Sequence, residues 1–539
     1  MLDLPAEILT QIFDIASDED VIFGHALPTA MAESAWDGDA YGNWKLRAPE
    51  LAIEQVQRES YATKKAIVRT CTKWRVIGSE FLFRCLFFTD PARLVDLSDI
   101  LNSSSASATT ATASLGWWTR RIHFTRSSAS ASDQLRDALV RVIQHCPNLE
   151  IFILDAPMDG ATFGPIVDTL AMYSKKSLHT LYVKIPASAL PKVIWAFDSL
   201  KQLFAAHVDV RRDSNEQCAT TGETPLGAAG DIQLRLPNLR QLSFRGHIQQ
   251  LTEQAAGWAL PALRFLSLDA EESFADLPDV LAFLGAHGSY LQFLDVNSGP
   301  AQSLPRILAA CPALTTLAFN GDWRVIGAED DDAAPPLAHE RLSSIGLHGL
   351  GYAFGVHPEQ LRRAEEDGQN DDPVSVWLVT SANDRTLKAL CSKEAFPALT
   401  RVRALSGALL GWLEEADGPR QDGGGMERWE NWWEMTKKAG IRLEDCTGNL
   451  LGELPQDGEQ DDDEDADTSW DTSYEIDEEY YSQPGSRRVS NLDELKALLE
   501  ECRAMDLERD DDYLHQDPNM RTIFPEVAGA PSVVVSEAT

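Results

Sequence analysis

Along most of the chain, apolar residues return in one short pattern, Leu-x-x-Leu-x-Leu with aliphatic, aromatic or Ala replacements. It occurs at Leu149/Phe152/Leu154, Leu178/Leu181/Val183, Leu200/Leu203/Ala205, Leu239/Leu242/Phe244 and Leu263/Leu266/Leu268. It continues at Leu291/Leu294/Val296, Leu314/Leu317/Phe319, Leu342/Ile345/Leu347 and, more weakly, Leu399/Val402/Ala404. Most starts lie between 22 and 29 residues apart, and the two long intervals coincide with polar insertions at 209–232 and 352–390. The Leu-x-Leu alternation that ends each pattern predicts a short strand. Between them apolar positions recur every three or four residues, which predicts helices at Gln134–Gln144, Phe163–Tyr173, Leu277–Leu284 and Leu304–Ala310. Cys146-Pro-Asn-Leu149 and Cys311-Pro-Ala-Leu314 each follow such a helix. Proline cannot extend the helical hydrogen-bond ladder, so these tetrapeptides turn the chain into the next strand.

Strands alternating with helices predict an α/β fold. A single strand–helix unit has too large an apolar face to leave wet and too small a core to fold alone, so units must stack. The period is that of a leucine-rich-repeat-like solenoid, expected over 115–450. The spacing is irregular, and the Asn that usually follows the strand is mostly missing. Periodic Leu positions point to the core and their neighbours to the concave surface. The strand residues Tyr182, Lys184, Arg245, Phe265, Asp269, Asp295, Asn297, Asn320 and His348 are therefore candidates for holding a protein target. Arg121–Phe124 is expected to be a strand opening the stack, and the Ser/Ala/Thr-rich stretch Ser103–Ser114 a loop. Met426–Gly440 carries Trp429, Trp432 and Trp433 on one helical face and ends on two lysines and a glycine, which predicts a terminal cap before a short strand, Ile441–Leu443.

The amino-terminal segment, expected to be a helical domain over 1–90, reads differently. Leu4, Ile8, Leu9, Ile12, Phe13 and Ala16 make an apolar helical stripe behind Pro5, which suits the first helical position. A second apolar helical pattern runs from Thr63 to Phe83. Leu4-Pro5-x-Glu7-Ile8-Leu9-x-x-Ile12-Phe13, then Cys71-Thr-Lys-Trp74-Arg-Val-Ile77-Gly and Phe81-Leu-Phe83, resembles the F-box of basidiomycete-type F-box proteins with irregular leucine-rich repeats. The resemblance implies docking to a Skp1-like adaptor, and through it to a cullin, by Leu4, Pro5, Ile8, Leu9, Ile12, Phe13, Ile67, Cys71, Trp74 and Ile77. It thereby implies the substrate-recognition subunit of an SCF-type ubiquitin ligase. Thr70 stands where the family usually has Val, and an insertion at 17–60 separates the two halves. That insertion holds one expected helix, Pro49–Arg58, and is expected either to pack beside the F-box or to weaken docking.

Charge narrows the partners. The chain carries 47 basic and 84 acidic residues, a net charge of −37. Nucleic acid and anionic membrane both reward Lys and Arg, so neither is expected as partner. Much of the acid sits in 455–539, expected to be a disordered tail with one short helix, Ser490–Asp506. Asp461–Thr472 fails as a calcium loop because Ala466 and Thr472 replace the required Gly and Glu. Arg487-Arg-Val-Ser490 resembles a basophilic kinase site. Eight cysteines without CxxC or Cys/His spacing predict buried thiols and no metal. The start is not a signal peptide, and no 18-residue apolar run occurs, so a soluble cytoplasmic or nuclear protein, not a secreted one, is expected. No catalytic motif is present, and no catalytic residue or cofactor is expected. The alternatives are a leucine-rich-repeat scaffold without a ligase role and a hydrolase whose residues converge only in space.

Overall fold

The computed structural model describes residues 4–450, excluding 18, 33–35, 39–43, 47–48, 89–90, 108–113, 126–132, 157, 212–225, 271–279, 299–303, 322–336, 351–372, 408 and 410–424. The expected acidic tail, its helix and the kinase-like site lie outside the described residues. Among the described residues, no helix is long and apolar enough to cross a membrane, and the six described cysteines are unbridged.

The chain opens with α1 (Ala6–Ala16) and the one-turn α2 (Glu19–Ile22), then a small antiparallel pair, β1 (Trp36–Gly38) and β2 (Trp44–Leu46). Two helices follow, α3 (Pro49–Thr70) and α4 (Thr72–Arg84). The single apolar pattern from Thr63 to Phe83 is thus two helices, broken where Cys71 adopts extended backbone and its carbonyl accepts from the Arg75 N–H at 2.9 Å. The helix expected at Pro49–Arg58 is the first half of α3.

Twelve parallel strands then pair strictly in chain order. They are β3 (Cys85–Phe88), β4 (Arg121–Thr125), β5 (Ile151–Asp155), β6 (Thr180–Pro186), β7 (Ala205–Arg211) and β8 (Gln241–Gly246). They continue as β9 (Phe265–Ala270), β10 (Phe293–Ser298), β11 (Thr316–Asn320), β12 (Ser344–His348), β13 (Arg401–Ala404) and β14 (Arg442–Glu444). The connections carry α5 (Pro91–Ser107), α6 (Asp133–His145), α7 (Gly160–Tyr173), α8 (Leu190–Ser199), α9 (Gln249–Ala256), α10 (Val280–His287) and α11 (Leu304–Ala310). Each of α6 and α7 packs on its predecessor, as do α8, α10 and α11 on theirs except across the polar insertion after β7. The Ser/Ala/Thr stretch expected as a loop is, up to Ser107, the last turn of α5. The sheet begins at β3, upstream of the position the repeat pattern suggested.

The expected phase of the repeats holds with one exception. Phe152, Leu181, Ala206, Leu242, Leu266, Leu294, Leu317, Ile345, Val402 and Leu443 stand in one row across the sheet. In the third unit the pattern is therefore Leu203/Ala206/Val208, not Leu200/Leu203/Ala205, because Leu200 caps α8 and opens the turn, as Cys146 and Cys311 do in their units, and Leu203 follows that turn. The Cys-Pro turns behave as expected. The N–H of Cys146 bonds the Ile143 carbonyl at 3.0 Å, and the N–H of Leu149 returns to the Cys146 carbonyl at 3.3 Å. Burial pushes the Cys146 and Cys311 thiols up to about 12, so both remain thiols at neutral pH. At the far end, the helix Gly425–Lys438 buries Trp429 and Trp432, and Gly440, with φ of 66°, turns the chain into β14. The helix expected from the Trp spacing and the short strand after it are both present.

Candidate functional site

Two surfaces hold the residues that the sequence singles out, and the structure treats them in opposite ways. The first is built on α1. Leu9 and Phe13 point inward, 2% and 1% exposed, and form a cluster with Ile67 of α3 and Phe81 of α4, with Trp74 and Ile77 packed against it. Phe13 meets the edge of Trp74 at 5.1 Å and of Phe81 at 5.9 Å between ring centroids. Lys73 Nζ donates to the Leu4 carbonyl at 2.6 Å, and Arg84 Nη1 pairs with Asp14 at 2.7 Å, so α4 runs alongside α1 from end to end. Gly78 permits the close approach of α4 to α3, since a Cβ there would lie 2.9 Å from Ile67 Cγ2.

A second stripe on α1 finds no such cover among the described residues. Ile8 and Ile12 are 41% and 42% exposed, Leu4 and Pro5 lie beside them in the open, and Ile15 is more exposed still. Of the ten residues that the F-box resemblance implies, Leu9, Phe13 and Ile67 are interior, Trp74 and Ile77 half-buried, and Leu4, Pro5, Ile8, Ile12 and Cys71 exposed. The single stripe expected from the sequence is two, separated around the helix. Ile15 and Val76, both exposed, join the outer one in character but carry no motif that sequence reading could use.

The second surface is the sheet face opposite the Leu row. Its residues alternate with the core positions: Ile151, Ile153, Tyr182, His207, Gln241, Phe265, Phe293, Asp295, Ala318, Gly346 and Arg403. The sequence leaves this face to an outside target. The structure covers it with part of the 17–60 insertion. Residues 22–32 cross the strands as a strap, and their carbonyls are taken up one by one. Arg121 Nη1 of β4 donates to Ile22 at 2.6 Å, Thr180 Oγ1 of β6 to His25 at 2.7 Å, and Arg403 Nη1 of β13 to Met31 at 2.7 Å. In β8 the Gln241 amide donates to the Leu27 carbonyl at 2.9 Å and accepts from the Leu27 N–H at 2.8 Å, imitating a paired strand. Apolar side chains fill the spaces between. Ile22, Phe23 and Leu27 pack on Ile151, Ile153 and Tyr182. Ala30, Met31 and Trp36 pack on Phe293, Ala318, Leu405 and Cys446. Gly346 has no side chain where the strap comes closest, since a Cβ there would lie 2.7 Å from Met31 Sδ.

The strap corrects the expected target surface. Tyr182, Asp295 and His348 are buried, Tyr182 to 2% exposure, because strap and neighbouring strands seal them. Lys184, Asp269, Arg245, Asn297 and Asn320 are half-buried, and only Phe265 passes into the exposed class. Charges along the distal row answer each other. Lys184 pairs with Asp155 at 3.2 Å, Lys184 faces Asp209, Asp209 faces Arg245, and Arg245 lies 3.5 Å from Asp269. Opposite charges on adjacent strands are a stabilising arrangement. Further along, His348 Nε2 lies 3.0 Å from Asp295 Oδ1. Arg403 is held by Glu444 at 2.8 Å, with both groups buried.

The strap does not close every gap. Between strap residues Leu27–Ala30 and β7–β10 lies a cleft of about 320 Å³, lined by Arg245, Phe265, Asp269, Asp295, Asn297 and His348 among others. Six of the nine expected target residues thus converge there, and Tyr182, Lys184 and Asn320 do not. His207 forms part of the floor, its ring stacked flat on Tyr182 at 4.3 Å, with neither ring nitrogen hydrogen-bonded. Burial, reinforced by Arg245 and Lys184, lowers its pKa to about 3, so it is neutral at physiological pH. At the other end of the strap, Gln57 of α3 bridges Arg121 and His123. With its amide oxygen turned to Arg121 it accepts at 2.8 and 3.1 Å and donates to His123 Nδ1 at 3.2 Å. Burial, then Arg121, holds the His123 pKa well below its usual value. Sequence reading missed Gln241, His207 and the strap itself, since the first two hold variable positions within their repeats and the strap belongs to no motif. Compared with known protein families and with curated proteins, the chain matches no family model and no curated sequence.

Proposed function

We propose that this chain is the substrate-recognition subunit of an SCF-type ubiquitin ligase, an adaptor without its own active site. Its α1–α4 unit would be the F-box that grips a Skp1-like protein, and its repeat stack a leucine-rich-repeat-like solenoid that presents a protein target. Ubiquitin transfer would then be accelerated by proximity, supplied by the assembled ligase. One observation carries the reading: α1 leaves Leu4, Ile8, Ile12 and Ile15 exposed on its outer side while Leu9 and Phe13 anchor it from within. Contiguous large aliphatic side chains left in water mark an interaction surface, and Leu4, Ile8 and Ile12 are among the positions that the F-box resemblance assigns to the adaptor. The target would enter at the cleft beside Phe265 and Arg245, where the strap leaves the sheet open.

The test is a pull-down of the full chain with purified Skp1. The double variant Ile8→Asp/Ile12→Asp alters only exposed positions, so it should fold as the wild type does and lose adaptor binding by tenfold or more. Retained binding in that variant, or none in the wild type, would sink the ligase reading. A non-catalytic repeat scaffold is the second reading. It is favoured by the strap, which already occupies much of the face that such stacks use for partners.

A further inference from the structure

The strap crosses the sheet above the starts of β5 and β6, and there three potential metal ligands meet. His25 belongs to the strap, while Glu150 and His179 immediately precede the paired strand residues Ile151 and Thr180. The ligand atoms of the three side chains lie within 4.8 Å of one another. The His25 and His179 rings stack at 4.7 Å with 24° between their planes. Nδ1 of each ring is shut off from solvent and has no hydrogen-bond partner. A buried ring nitrogen without a partner costs free energy, and two side by side are unusual in a packed protein. Two imidazoles and one carboxylate are the donor set that suits zinc and its neighbours in the first transition series, and a poor set for calcium or magnesium.

We infer that His25, His179 and Glu150 form a binding site for a zinc-class divalent metal ion, which fastens the strap to the sheet. Tetrahedral geometry with bonds of about 2.1 Å places ligand atoms roughly 3.4 Å apart, so the three side chains close inward by about an ångström on binding. Glu150 is held meanwhile by Arg120, whose Nε and Nη2 donate to its two oxygens at 2.8 Å each. Arg120 is the competitor for the carboxylate and also stacks over Phe23 of the strap, 4.4 Å from the ring. A groove lined by Arg120, Glu150, His179, Trp117 and Trp118 gives the ion a path from solvent. Strap residues on either side, Phe23 and Leu27, are packed on the sheet. The ion would therefore tie down a segment already in place instead of recruiting a distant one. The inference is independent of adaptor binding.

The experiment uses the full chain, stripped with chelator and titrated with ZnCl2 in excess Mg2+, which competes for sites made of carboxylates alone. One zinc should bind per chain. His25→Ala and His179→Ala should each weaken it by about a hundredfold, and Arg120→Gln, which frees Glu150, should tighten it. Zinc should also slow proteolysis between residues 22 and 36 in the wild type and not in His25→Ala. Co2+ in the wild type should give the intense visible bands of a tetrahedral site, a reading that requires no variant to fold. Equal zinc affinity in wild type and both His variants, or an octahedral cobalt spectrum, would overturn the inference. Loss of adaptor binding by Ile8→Asp/Ile12→Asp would leave it untouched.

Discussion

The outer stripe of α1 and the strap face of the sheet both look like partner surfaces in sequence, yet one is bare and the other is filled. On α1, Ile8 and Ile12 are exposed, and no described segment is folded over them. On the sheet, Tyr182 and Phe293 are as apolar, and the chain's own residues 22–32 lie upon them. The difference is one of supply. The sheet face offers side-chain donors at Arg121, Thr180, Gln241 and Arg403 to an extended segment, and the insertion is long enough to reach all four. The α1 stripe offers only aliphatic surface, and no described segment covers it. An uncovered apolar helix face and a face already laid with a hydrogen-bonded strap therefore call for different partners. The first suits another apolar surface, and the second suits a ligand small enough for the remaining cleft or able to displace the strap.

The contrast can be broken first at α1, where the largest effect is expected. Phe13→Ala should cost about 3–5 kcal/mol by opening a cavity among Trp74, Phe81 and Ile67. Ile8→Asp, on the same helix, should leave the denaturation midpoint nearly unchanged. Equal losses in chemical denaturation would mean that the two stripes are not inner and outer. Next is Gln241→Ala, which strips the strap of both bonds at Leu27 and leaves buried groups without partners, costing about 1–3 kcal/mol. Proteolysis between residues 22 and 36 should accelerate accordingly, and an unchanged rate would show that the strap is held by its apolar contacts alone.

The smallest effect, none at neutral pH, comes from His207. The unfolded imidazole titrates near 6.5 and the folded one near 3. Above pH 6.5 neither state carries the proton, and the residue adds nothing to the pH dependence. As the pH falls below 6.5, the unfolded chain takes up a proton that the folded chain refuses, so stability drops by about 1.4 kcal/mol per unit and levels off below about 3. His207→Asn should flatten this slope in urea melts at pH 5 compared with pH 7. An identical difference in the wild type and the variant would show that the ring is wetter than its stacking on Tyr182 implies.

Much of this molecule is written locally. Strand positions follow from the Leu-x-x-Leu-x-Leu rows and helix positions from the three- and four-residue steps, because alternation and helical period are set by backbone geometry. Leu200 misled the phase of one unit because a leucine before the turn and a leucine after it look alike in sequence, and only the pairing of Leu181 with Ala206 separates them. The α1 stripe was legible as apolar, but its division into an inner and an outer half depends on where α3 and α4 lie. The cleft residues were legible as one face of a sheet, and six of the nine do converge. Their burial was not legible, since it is imposed by residues more than a hundred positions away in the chain.

The sequence by itself determined the strand–helix alternation, its α/β character and the Trp-rich helix near the end of the sheet, all of which rest on interactions between residues close along the chain. Only the tertiary structure decided that residues 22–32 would lie across the sheet, that Gln241 would hold Leu27, and that His25 would meet His179 and Glu150. Those contacts join segments far apart in sequence, and no periodicity encodes them: they exist because a finished sheet offers donors and apolar hollows that an otherwise unremarkable insertion can satisfy.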